Sequence, residues 1–235
     1  MARGAIWAAI AATLADEVAQ GLYPAGAKLP TEAELAARFG VNRHTVRHAL
    51  ADLAARGLVV SRRGAGVFVA GRPTDYAIGR RVRFNENVSA AGQVPSRDLT
   101  RLETRVAAVH EAVALQIASG AAVQVVEGVS LADGQPIAMF RSVFPAERFP
   151  GLLDALRAVP SITAALAAAG VADYTRASTR VTAKAAKPVQ ALRLRLPEGA
   201  PILRTEAVNV DGAGVPVEYG VTWFAGDRVT LTVSG

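Results

Sequence analysis

Apolar residues recur with helical spacing along the first seventy positions. Ile6, Ile10, Leu14 and Val18 fall every fourth residue and predict a helix over 5–21 with one apolar stripe. Gly21, Pro24 and Gly26 end it. Thr31 opens a second, short helix. Glu34 follows it at capping-box spacing, Leu35 and Phe39 form the buried side, and Gly40 stops it. Asn42 is placed to cap a third helix, in which Val46, Ala49, Leu50 and Leu53 follow the i, i+3, i+4, i+7 pattern until Gly57. Two short β-type runs, 58–61 and 67–70, flank Arg62, Arg63, Gly64, Ala65 and Gly66. They predict a hairpin with a basic, glycine-rich tip.

Gly71, Pro73, Asp75 and Gly79 then break the pattern. The predicted division is a first domain over 1–71, a linker over 72–79 and a second domain over 80–235. In the second domain, strands are predicted over 97–108, 123–131, 137–144, 174–182, 201–210, 215–224 and 229–233. Helices are predicted over 110–118, 152–158, 162–168 and 188–194. Short turns such as Asp133-Gly134 and Asp211-Gly212 imply antiparallel neighbours. The fold class is α+β.

Half of the 235 residues are apolar, which excludes a disordered chain. There is no cysteine, so disulfides and thiolate metal sites are excluded. The net charge of +6 points to an acidic partner, nucleic acid first and anionic membrane second. Residues 1–70 and 71–235 each carry +3, so the shorter part is the more basic per residue. The apolar stretch 6–14 is short and is followed at once by Asp16 and Glu17. No secretory signal, membrane span or cofactor is implied, and the expected location is the cytoplasm.

Two helices joined at Gly40 and Val41, then a hairpin, is the order of a winged helix-turn-helix. The third helix must pack its apolar stripe inward, which turns His44, Arg47 and His48 outward with Arg43 in the first turn. A recognition helix presents such N-terminal residues to base edges. Arg43 suits a bidentate contact to guanine, while Asn42, His44 and Thr45 reach bases or phosphates nearby. Arg47 suits a backbone phosphate. Thr31 and Glu32 sit at a helix start that favours a phosphate, with Lys28 just before them. Arg62 and Arg63 at the wing would reach sugar-phosphate or the minor groove, with Gly64 and Gly66 allowing close approach. His44 and His48 have i, i+4 spacing, but no Glu follows His44 and no third metal ligand is apparent. A solvated helix face and an ordinary hairpin are the alternatives at these positions.

The run Leu29-Pro30-Thr31-Glu32-Ala33-Glu34-Leu35-Ala36, the run from Val41 to Leu50, Leu53 with Gly57-Leu58, and Arg63-Gly64-Ala65-Gly66-Val67-Phe68-Val69 together resemble the GntR family of bacterial regulators. The resemblance covers about residues 5–70. It implies that Arg43, Arg47 and the wing-tip glycine contact an operator. Some members carry arginine where this chain has Ala33. The rest resembles the HutC branch, whose UTRA-like effector domain has the antiparallel-sheet fold also used by chorismate lyase. Gly134-Gln135-Pro136-Ile137 leading to Phe144-Pro145, and Val215-Pro216-Val217-Glu218-Tyr219, carry that likeness. More narrowly, Asp75-Tyr76, Arg83-Phe84 with Asn87, and Arg176 with Thr179-Arg180 look like regulators of phosphonate uptake and breakdown. The resemblance implies a homodimeric repressor on palindromic double-stranded operator DNA, released by a small anionic metabolite.

Within the second domain, alternate residues Tyr174, Arg176, Ser178, Arg180 and Thr182 share one face of the strand over 174–182. Two arginines beside hydroxyls would hold phosphonate or phosphate oxygens; a solvated strand face is the alternative. Arg83 and Asn87 join this candidate effector site on the resemblance above. Glu127 and Arg141 interrupt apolar strand faces, and either pair, line a pocket or turn outward at a bulge. The HutC resemblance implies that Glu218, near the final strands, accepts from a ligand hydroxyl or amine; a cross-strand ion pair is the alternative. Other effectors, such as an amino-sugar phosphate or a histidine-pathway metabolite, fit the same domain. A lyase-like enzyme is the remaining alternative, although the chain has no G-x-S-x-G elbow, phosphate loop or cysteine nucleophile.

Overall fold

The computed structural model describes residues 3–62, 64–71 and 73–233, with side chains except at residues 3–5 and 62. The chain forms two compact units, Met1–Arg72 and Pro73–Gly235.

The first unit contains α1 (Arg3–Ala19), α2 (Glu32–Phe39), α3 (Arg43–Ala55), β1 (Val59–Arg62) and β2 (Gly66–Val69). Its core joins Ile10, Ala11 and Leu14 to Leu35, to Val46, Ala49, Leu50 and Leu53, and to Val59 and Val69 of the hairpin. The predicted stripe on α1 is corrected at one position. Ile6 is 44% exposed, and Trp7 packs on the core instead. A strict four-residue repeat advances 400° on a helix of 3.6 residues per turn, so it drifts off the buried face. Thr31 and Glu34 close the expected capping box at the start of α2. Gly40 ends α2 with φ +64°, a backbone region that favours glycine.

The second unit is built on a six-stranded sheet of order β4-β5-β6-β9-β8-β7, antiparallel throughout. The strands are β4 (Pro95–Val106), β5 (Ala122–Ala132), β6 (Gln135–Pro145), β7 (Thr175–Ala185), β8 (Pro201–Val210) and β9 (Pro216–Ala225). Alternation along β6 sets its two faces. Phe140 and Phe144 pack with α6 (Leu152–Ala158) and α7 (Ile162–Ala168), while Val143 packs with α5 (Val109–Leu115) and Met139 with α8 (Pro188–Leu194).

The region expected as linker is not all linker. β3 (Thr74–Ala77) pairs in parallel with β10 (Val229–Thr232), and α4 (Phe84–Ala90) follows. Tyr76, Phe84 and Val88 are buried in one cluster with Phe224 and Val229. Asn87 holds β3 through its side chain, accepting from Ala77 N–H and donating to Ala77 C=O. A four-residue strand with a parallel partner 155 residues away leaves no local signal.

Gly128 on β5 fits a gap that no Cβ would. An added methyl would lie 2.5 Å from the Asp98 carbonyl and 2.9 Å from the Phe140 ring, beside the irregular register at Leu99–Arg101. Gly128→Ala is therefore expected to cost about 1–3 kcal/mol, the usual cost of overpacking. A chemical denaturation midpoint equal to that of the wild type would show that the sheet yields at this point.

Candidate DNA-reading surface and effector pocket

Asn42 caps α3. Its Oδ1 accepts from Thr45 N–H at 2.9 Å and from Thr45 Oγ1 at 3.0 Å. This cap sets the first turn and leaves Arg43 and His44 exposed beside it. Arg47, one turn on, forms a fork on Glu32 of α2. Nε donates to Oε1 at 3.0 Å and Nη2 to Oε2 at 2.7 Å. That bond, with Arg43 and His44 nearby, holds the Glu32 carboxyl below its ordinary pKa. Glu32 is thus a carboxylate tethering Arg47, and its own charge opposes a phosphate. Arg43 makes no hydrogen bond or ion pair among the described residues. His48 is exposed too, as expected, but its ring is engaged. It stacks on Trp7 of α1, with ring centroids 4.4 Å apart and planes within 14°.

At the wing, Gly64 and Gly66 take φ of +74° and +113°. A Cβ at Gly66 would lie 2.7 Å from Lys28 Cε, so the missing side chain lets the Lys28 stem cross the hairpin. Arg63 lies outside the described residues, as does the side chain of Arg62.

The second unit holds a pocket with about 80 Å³ of free volume. All six strands of the main sheet contribute to it, including both edges, so the sheet curves around it. Tyr76 of β3, Phe84 of α4 and Ile162 and Thr163 of α7 complete the wall. Three charged side chains line it: Arg97 from β4, Arg176 from β7 and Glu218 from β9. Arg97 lies over the rings of Phe84 and Phe140, 4.8 and 4.9 Å from their centroids. Its burial pushes its pKa down. The Nε atoms of Arg97 and Arg176 are both buried without a hydrogen-bond partner. Glu218 is 7% exposed. Its carboxylate accepts from Ser142 Oγ at 2.5 Å and from Asn209 Nδ2 at 2.6 Å. Burial raises the pKa of Tyr76 and of Tyr174, so both wall phenols stay protonated.

Residues 7–69 match the model of the gntR family of bacterial regulatory proteins, and residues 90–230 match the UTRA domain. The chain belongs to the GntR family. It is 38% identical over 230 residues to the transcriptional regulator RB1450 of Rhizobium meliloti, covering 97% of this chain and 94% of that one. It is 33% identical over 234 residues to the probable transcriptional regulator PhnF of Escherichia coli K12, covering 95% and 92%. The crystal structure of PhnF from Mycobacterium smegmatis is similar over 96% of this chain and 98% of that one, with TM-score 0.66 and 28% identity. The winged helix-turn-helix with a UTRA sheet domain is therefore the architecture of this chain, and it is a transcriptional regulator rather than an enzyme. No helix among the described residues is long and apolar enough to cross a membrane.

In this GntR regulator, the pocket gathers Tyr174, Arg176 and Glu218 from the expected effector residues. Five others lie elsewhere. Arg83 is buried behind the wall, donating to Asp173 and the Tyr174 carbonyl and lying 3.5 Å from the Tyr174 ring centroid. Asn87 is occupied by β3. Arg141 projects from the opposite sheet face, where it pairs with Glu127 at 2.6 Å and both side chains line a separate cavity with Met139 and Trp223. Ser178 and Arg180 are turned away by a register shift between Arg176 and Ser178. The extra residue reverses the alternation, so Arg176 faces Thr179 and Arg180 lies opposite Glu206.

Arg97, Tyr76, Ser142 and Asn209 are pocket residues that sequence reasoning missed. Arg97 stands in a strand with Asp98, Arg101, Glu103 and Arg105, where no pattern singles it out. Asn209 had a signal. The hairpin around Asp211–Gly214 registers it directly against Glu218.

Proposed function

We propose that this regulator is a homodimeric repressor that binds palindromic duplex operator DNA and leaves it when its UTRA pocket takes up a small anion, a phosphonate or related oxyanion. In the first unit, Arg43 reads a guanine and His44 lies beside it at the base edges. Arg47, Lys28, Thr31 and the wing residues Arg62, Arg63, Gly64 and Gly66 follow the phosphate backbone. Asn42 and Thr45 fix the first turn, and Glu32 aims Arg47. In the second unit, Arg97 and Arg176 bind the anion. The observation that carries the effector reading is that the two arginines lining one pocket each keep a buried guanidinium Nε without a hydrogen-bond partner. A buried donor without a partner costs free energy that a bound oxyanion returns.

Release requires the anion to prefer the DNA-free conformation; a tenfold loss of operator affinity takes about 1.4 kcal/mol of coupling. Thermal-shift screening against phosphonates, sugar phosphates and amino acids tests the reading, followed by operator anisotropy with each stabilising compound. Phosphonates are expected to stabilise the protein and release the operator. Stabilisation only by amino-sugar phosphates would change the effector, and indifference to every anion would remove the pocket reading.

A further inference from the structure

The pocket's charges do not neutralise one another by contact. Among the described residues, Glu218 receives hydrogen bonds only from a neutral hydroxyl and a neutral amide, although Ser142 and Asn209 are themselves 4% and 7% exposed. No Lys or Arg forms an ion pair with it among the described residues, and neither does any carboxylate with Arg97 or Arg176. Arg97 and Glu218 feel each other across the pocket without touching. A carboxylate taken out of water needs a cationic partner to recover its solvation. Here no cation touches it among the described residues, and Arg97 acts only from across the pocket. Its flank is also open: Gly220 has no side chain, and a Cβ there would stand 3.6 Å from Glu218 Oε1.

A purely anionic ligand would satisfy the two guanidinium groups and be repelled by this carboxylate. A ligand bearing both charges satisfies all three. We propose that the effector is a short aminoalkylphosphonate, its phosphonate held by Arg97 and Arg176 and its ammonium by Glu218. This rests on the anion-pocket reading above. The free volume of about 80 Å³ holds a few atoms beyond the oxyanion, which suits a two- or three-carbon spacer.

The test compares 2-aminoethylphosphonate with n-propylphosphonate, which has the same number of chain atoms and a methyl in place of the ammonium. Calorimetry on the full chain is expected to give at least tenfold tighter binding of the amine. Glu218→Gln keeps the side-chain shape, since the amide oxygen can accept from Asn209 and the NH₂ can donate to Ser142. In E218Q, 2-aminoethylphosphonate is expected to weaken at least tenfold while n-propylphosphonate binds as tightly as before or more tightly. Binding of n-propylphosphonate by E218Q shows that the pocket is folded. Equal affinities in the wild type would overturn the dipolar proposal and leave the anion pocket standing. An amine preference that survives E218Q, or a loss of both ligands together in that variant, would overturn the role of Glu218. Failure of the wild type to bind either compound would overturn the anion pocket, and this proposal with it.

Discussion

Arg43→Ala is expected to weaken operator binding by about 1–3 kcal/mol and to abolish preference at one base pair. Arg43 occupies the first turn of α3, directly after the Asn42 cap that fixes the helix start. It is exposed and has no hydrogen bond or ion pair among the described residues, so its five N–H donors are available for the O6 and N7 acceptors of guanine. Arg47 is in a different state, because the Nε–Nη2 edge of its guanidinium is taken by Glu32. On the proposed function, Arg47→Ala should therefore weaken binding to all sequences alike and lower the salt slope by about one, since the lost charge would face phosphate rather than bases. It also leaves the Glu32 carboxylate uncompensated. Anisotropy titrations on the operator and its single-base variants separate the two. A loss that is uniform across every base variant would show that Arg43 touches only the backbone.

The second large effect is expected at the pocket. Arg97→Met should remove about 1.5–3 kcal/mol of effector binding, roughly 10- to 150-fold in Kd, as expected for a charge-assisted bond. Its effect on stability should run the other way. Burial disfavours the charged guanidinium, no carboxylate among the described residues contacts it, and a thioether keeps the packing on Phe84 and Phe140. The ligand-free variant should melt no lower than the wild type while losing its response to phosphonate. Arg176→Met should lose the response in the same way. A fall of many degrees in melting temperature without ligand, or normal release of operator by both variants, would assign these arginines to the scaffold.

The first unit was almost fully legible in the sequence because its determinants are local. Thr31 and Glu34 are three residues apart, as are Asn42 and Thr45, and helical spacing places Val46, Ala49, Leu50 and Leu53 on one side. What the sequence lacked there was the partner of each cation. Glu32 was read as part of a phosphate site until its distance to Arg47 appeared.

The second unit divides differently. Glu218 was marked by the likeness to the HutC branch, and the helices over 152–158, 162–168 and 188–194 form where their patterns placed them. Strand β3, helix α4 and the membership of the pocket did not show. Alternation tells which residues of one strand share a face, but a single extra residue after Arg176 sends Ser178 and Arg180 to the other side. Alternation is also silent about which two edges a curved sheet brings together. The sequence alone therefore determined a DNA-reading helix joined to an antiparallel sheet domain, because caps, turns and periodicities act over a few residues. Only the tertiary structure decided that Arg97 and Arg176, 79 positions apart and on opposite edges of the sheet, face one buried carboxylate, because register and curvature are set by packing across the whole sheet.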